Sequence, residues 1–301
     1  MAAVNTKTVT NGSSKQAIVA NSESQGYAQY YTCLIVRYYT NNYTGQASSN
    51  GASSIIPLDF IDNGSGSPAA SAAYFTVSWH NLSSSVNGPV SGLNNDGNLP
   101  TASVWNGNGS NRPAVLRVEL VKVPKSGFTL DSITDSARAV SLRPSANSAG
   151  GQTVSLFGNT VYNIDYWTQY KNPGTGVQAP ILAVNCNNSD IYACKAMFTV
   201  QGSSLDLSAN NYYLRIQSIY RDTEFRITAT SGSGGELYFN GVQPSIDVTG
   251  RSSDSFKRIG SRVEFGKGGN VWWPDYALSS ANPICKQMSV RAESGSDDCS
   301  Y

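Results

Sequence analysis

One histidine, five cysteines and twenty acidic side chains are the groups in this 301-residue chain that have the chemistry for catalysis or covalent bonding. A nucleophilic triad needs a base beside its nucleophile, and imidazole is the usual base. His80 closes the run AYFTVSWH at residues 73–80, beside Trp79 and the turn residues Asn81 and Leu82. That position predicts an edge side chain hydrogen-bonded near the surface. Cys33 lies in YTCLIV, residues 31–36, an apolar setting that keeps a thiol protonated and unreactive. Glycoside hydrolysis needs two carboxyls at a set separation. Glu119, Glu224, Glu236, Glu264, Asp165 and Asp247 stand in or beside strand-like runs, and no spacing singles out two of them. The Asp/Asn/Gly clusters at 62–64 and 94–97 offer oxygen ligands but follow no calcium-loop pattern. No phosphate-cradling glycine motif follows a strand. The expectation is a chain with no catalytic residue, no metal and no cofactor.

The cysteines speak instead of compartment. Cys186 and Cys194 flank CNNSDIYAC, and Cys285 and Cys299 flank CKQMSVRAESGSDDC. Neither is the CxxC spacing of zinc or redox sites. Two local disulfides, Cys186–Cys194 and Cys285–Cys299, are expected, and with them an oxidising, extracytoplasmic location. A closed loop of about 15 residues contributes about 3 kcal/mol in the chain-entropy view. Cys33 is left as a buried free thiol, or as one whose partner precedes Met1.

What must position these groups is a β-rich scaffold. Only 14% of the residues are charged, too few for long soluble helices, while Gly, Ser, Asn and Thr abound. Seventeen Tyr and five Trp oppose disorder. A net charge of +1 with no basic run argues against nucleic acid as a partner. No apolar run is long enough to span a membrane as a helix.

Along the chain, 1–26 is polar and aperiodic and predicts a flexible lead or helix remnant. Strands are expected at 27–39, 54–61, 73–80 and 114–123, with one short helix at 129–138. AYFTVSWH alternates Phe75, Val77 and Trp79 against Tyr74, Thr76, Ser78 and His80, the mark of a half-buried strand. In AVLRVELVKV, Arg117 and Glu119 share one face, which is therefore not fully buried. The small, polar SANSAGGQ reads as a linker. Further strands are expected at 154–157, 161–170, 181–184, 196–200, 212–220, 224–229 and 262–265. VTGRSSDSFKRIGSRV predicts a polar turn followed by a strand that adds to the sheet. The resulting fold class is mainly β, with antiparallel sandwich-like sheets in two β-rich subdomains at 27–146 and 150–265. A disulfide-closed tail follows at 266–301. Aromatic side chains in loops, Trp105 in WNGNGSN and Trp272, Trp273 and Tyr276 in VWWPDY, are the candidate binding residues, as interface anchors or sugar platforms. The competing reading makes them covers over the ends of the sandwich.

Several segments, in order, resemble the soluble region of type IV pilus minor pilins of the PilX assembly kind from candidate-phylum, Saccharibacteria-like bacteria. They are YTCLIV (31–36), TVSWHN (76–81), VLRVELV (115–121), YYLRIQSIYRDTEFRITA (212–229), VQPSIDVTGRSSDSFKRIGSRV (242–263) and PDYALSSANPICKQMSV (274–290) with Cys299. The resemblance implies an exported, non-catalytic head acting in pilus assembly and surface adhesion. Its partners would be other pilin subunits and host-cell surfaces or glycans. It also implies membrane attachment only through an apolar N-terminal helix, which residues 1–26 do not contain. The alternatives are a stand-alone secreted adhesin or carbohydrate-binding module, a secreted sandwich hydrolase and, more distantly, a viral coat subunit.

Overall fold

A computed structural model describes residues 7–11, 14–18, 29–50, 54–62, 66–93, 101–107, 109–127, 137–146, 153–156, 181–186, 189–200, 204–252 and 255–263. The first half of the chain forms β1 (Lys7–Asn11), β2 (Ser14–Ile18), β3 (Gln29–Thr40), β4 (Tyr43–Ala47), β5 (Ser54–Pro57), β6 (Phe60–Asp62), β7 (Ser71–Ala72) and β8 (Tyr74–Asn81). A helical turn α1 (Ala102–Trp105) precedes β9 (Val115–Pro124) and β10 (Ala137–Ser145). The second half adds β11 (Thr153–Leu156), β12 (Ile181–Asn185), β13 (Tyr192–Val200), β14 (Leu205–Asp206), β15 (Asn210–Ile219), β16 (Thr223–Thr230), β17 (Glu236–Ser252) and β18 (Ser255–Arg262).

The fold is mainly β and sandwich-like. One sheet runs β1-β2-β3-β17-β16-β8-β13-β11, with β4 on β16 and both β6 and β18 on β17; the other runs β12-β10-β9-β15-β5. Their described pairs are antiparallel except β10 with β12 and β11 with β13. The core lies between these sheets. Phe75, Val77 and Trp79 of β8, Phe225 and Ile227 of β16 and Phe198 of β13 meet Leu116, Val118 and Leu120 of β9 and Leu214 and Ile216 of β15. Phe75 and Phe198 are register partners whose rings stack at 4.9 Å. The Trp79 indole N–H donates to the Ala114 carbonyl at 2.9 Å, so the largest core side chain is also satisfied in its one polar group.

Four expectations need correction. The boundary near 144–151 does not separate two subdomains: β8 lies between β16 and β13, and β9 lies between β10 and β15. Residues 1–269 form one compact unit, because neither half carries two complete sheets with which to bury its apolar faces. The lead is no helix remnant where it is described: β1 and β2 pair as a hairpin, and β2 extends the sheet from β3. β8 is buried on both faces, including Thr76 and Ser78. Its central position sets longer neighbours beside the small residues, Arg226 and Lys195 beside Ser78 and Met197 beside Thr76. Ala137 and Arg138, expected to end a helix, begin β10; the rest of that segment, the strand at 161–170 and the tail at 266–301 lie outside the described residues.

The polar turn and added strand expected after Val248 are there as the β17–β18 hairpin. β17 belongs to two neighbourhoods. Its first residues pair with β16 and β6, and residues 245–252 pair with β3 and β18. The register with β3 shifts between Asn240 and Ser245. Gly241 stands in that bulge at φ 67°, and a Cβ there would collide with the Tyr38 ring. Beyond it the strands leave the sandwich as an arm of β3, β17 and β18.

Candidate functional site

The carboxylates expected in or beside strands are dispersed among structural partners. Glu119 lies between Arg117 at 3.3 Å and Arg215 at 3.6 Å on the outer face of β9 and β15, where Arg117 also donates to Gln217 at 3.4 Å. That face is partly shielded, in keeping with the alternation read from AVLRVELVKV. Glu224 accepts from the Asn81 amide at 2.7 Å, and Asp190 meets Arg226 at 3.5 Å. Asp165 and Glu264 are outside the described residues.

His80 is not an edge side chain. It is fully buried, and neither ring nitrogen makes a hydrogen bond to a described residue. Burial pushes its pKa from the ordinary 6.5 down to about 4; the Gly88 backbone beside it works against that fall, and Arg221 adds to it. His80 also holds a left-handed backbone, φ 66°, as does Tyr220 at φ 78°; among the described residues these are the non-glycines with positive φ. The Gly88 backbone beside His80 belongs to the segment 82–93. Within it, Asn87 is buried, accepts from the Thr223 hydroxyl at 3.3 Å and leaves its amide nitrogen without a partner, while Asn111 donates to the Asn87 carbonyl. A neutral, enclosed imidazole with no nucleophile on it can take up a proton only at the expense of this packing.

Trp105 is buried too, at 2% exposure, which corrects its reading as an open binding ring. Its N–H donates to the Pro113 carbonyl at 3.2 Å, and one face stacks on Tyr220 at 5.4 Å. The Arg112 guanidinium lies 5.6 Å from the ring centre while donating to the Gly92 and Val104 carbonyls at 2.6 Å each. With both its polar group and its faces engaged, Trp105 acts as a cover over the end of the sandwich. Trp272, Trp273, Tyr276, Cys285 and Cys299 fall outside the described residues.

Cys186 follows β12 in one sheet and Cys194 lies in β13 in the other, and they are joined as a disulfide. Both are buried, so the bond is a brace between the sheets as well as a loop closure. Cys33 lies on β3 opposite Thr249.

The arm differs from everything above. Residues 35–39 of β3 are exposed without alternation, and so is every residue of β18. Val36 is 62% exposed, Tyr38 55%, Phe256 63% and Ile259 56%. Arg37, Arg258 and Arg262 line a shallow groove there with Asp247. Arg258 grips the Asp247 carboxylate through two nitrogens and, with help from Arg37, holds its pKa below the ordinary carboxylate range. Arg262 ties the arm to the body by donating to the Asn42 carbonyl at 2.8 Å and to Gln243 at 3.1 Å. Of the strand expected at 262–265, residues 264–265 lie outside the described residues, and Arg262 ends β18. Its signal was the mixed apolar and basic SFKRIGSR, which marks a strand without telling which face is covered. No protein-family model, no curated protein and no solved structure matches this chain.

Proposed function

We propose that this chain is a non-catalytic structural subunit of an extracellular or cell-surface assembly, and, at finer grain, the head of a minor type IV pilin acting in pilus assembly and adhesion. The observation that carries the assembly role is the arm, where Val36, Tyr38, Phe256 and Ile259 are exposed, beside a sandwich that closes its own core. Contiguous exposed apolar surface on a stable domain is the usual sign of a protein partner. The buried Cys186–Cys194 brace supports export, because such bonds persist in oxidising compartments. The pilin reading rests on the ordered segments quoted above. A stand-alone sugar-binding module draws less support, since Trp105 has no open ring face to offer. The arm beside a two-sheet sandwich also suits the second reading, a coat subunit of a closed shell.

Immunogold electron microscopy with an antibody against the folded head tests this. Label along sheared surface fibres is the expected result. Label confined to the cytoplasm would overturn the assembly role, and regular closed particles would replace the pilin reading by the coat reading.

A further inference from the structure

We propose that residues 82–93 are an acid-released latch: when His80 takes up a proton, this segment lifts from the end of the sandwich while both sheets stay folded. The arm plays no part in it. His80 is fully enclosed, and neither ring nitrogen is hydrogen-bonded. The Gly88 backbone stands beside the ring, and the neighbouring Asn87, also buried, keeps its amide nitrogen without a partner. Enclosed polar groups of this kind are satisfied once water reaches them. Opening also frees His80 from a left-handed backbone, φ 66°, that a non-glycine residue keeps only when its surroundings hold it there.

Residues 82–93 are the part of this end that can leave. Asn87 alone among them is buried, and Leu93 packs against the core only in part. The rest of the hold is polar. Leu82 donates to the Ile191 carbonyl at 2.8 Å and Ser91 to that of Asn111 at 3.1 Å. The Asn111 amide donates to the Asn87 and Pro89 carbonyls, Arg112 to that of Gly92, and the Thr223 hydroxyl to Asn87. A segment with so few buried apolar contacts opens well before the body does. β8 does not have to move with it, since Trp79 pairs with Cys194 and Phe225 on its two sides and Asn81 with Tyr192.

The charged and titratable groups described around His80 leave its proton unsupported in the closed form. Burial is the main reason that the ring stays neutral, and Arg221, in the turn between β15 and β16, adds to it. Glu224 on β16 is bonded to the Asn81 amide at 2.7 Å, and Tyr192 on β13 lies 4.9 Å from the Arg226 guanidinium. Arg112 is committed to the Gly92 and Val104 carbonyls. Residues 82–93 carry no ionisable side chain. The enclosed ring has a pKa of about 4 against 6.5 for a free one. Opening is therefore favoured as pH falls below 6.5, by about 20-fold between pH 7 and pH 5.

His80 is the one histidine of the chain, so the imidazole signals in a nuclear magnetic resonance titration of the untagged protein report on this site alone. Hydrogen exchange read by mass spectrometry, corrected for the intrinsic rate at each pH, follows the segment itself. Residues 82–93 should open about 20-fold more at pH 5 than at pH 7, with residues 115–121 and 212–218 as protected as before. The imidazole midpoint should lie well below 6.5. His80→Gln, with folding established by circular dichroism, should abolish the pH dependence of the segment. Should that variant fail to fold, Asn111→Ala keeps the imidazole and removes two bonds across the latch. It should open 82–93 about tenfold more at pH 7 and raise the imidazole midpoint. Equal opening at both pH values in the native chain, or a midpoint at 6.5 with the segment closed, would overturn the latch. Loss of protection in 115–121 and 212–218 in step with 82–93 would overturn it as well, leaving His80 to act on global stability alone.

Discussion

The sandwich and the arm are built from the same kind of strand, and they differ in what covers them. In β15 and β16 every second residue is buried, from Tyr212 to Ser218 and from Thr223 to Ala229, because a second sheet lies across one face. In β18 no residue is covered. The body thus encloses the apolar side chains of its core, while Phe256 and Ile259 keep more than half of their surface open. Stability should therefore reside in the sandwich, and association in the arm.

The largest expected effect that separates the two regions is in the core. Trp79→Ala removes a fully buried indole and its bond to Ala114; the loss should be about 3–5 kcal/mol, measured by urea unfolding. A loss below about 1 kcal/mol would mean that the two sheets do not depend on that contact.

The His80 end gives the next effect. Its pKa is lowered to about 4 in the folded chain from 6.5, so between these values the unfolded state takes up a proton that the folded state refuses. Stability should rise with pH from about 4 to 6.5 and be lost below, by about 3 kcal/mol in all. His80→Gln should flatten that part of the profile, which chemical unfolding at a series of pH values will show.

Cys194→Ala should cost about 2–3 kcal/mol, the loop-closure value for the nine-residue ring, with reduction of the native chain giving a similar shift in melting temperature. The smallest effect should be in the arm: the double change Phe256→Ser and Ile259→Ser should alter unfolding by less than about 0.5 kcal/mol per site, as for exposed positions generally. A loss comparable with that of Trp79 would show that the arm is part of the body's folding unit and erase the contrast.

The sequence alone determined the class of fold. Alternation in YYLRIQSI and TEFRITAT marks inward and outward faces because side-chain direction in a strand has period two, and β15 and β16 bury those residues in that rhythm. It also located the hairpin after Val248, where a polar turn divides two strand-forming runs. Tertiary structure decided which strands became neighbours. AYFTVSWH reads as half-buried, and only its place between β16 and β13 buries Thr76, Ser78 and His80. WNGNGSN reads as an open loop, and only Tyr220 and Pro113, more than a hundred and eight positions away respectively, turn Trp105 inward. SFKRIGSR has the composition of a strand edge in any sheet, and nothing within it records that all of its residues stay exposed. Local pattern fixes the direction of each side chain, whereas burial depends on what the rest of the chain brings to that side, and such long-range pairing leaves no local trace.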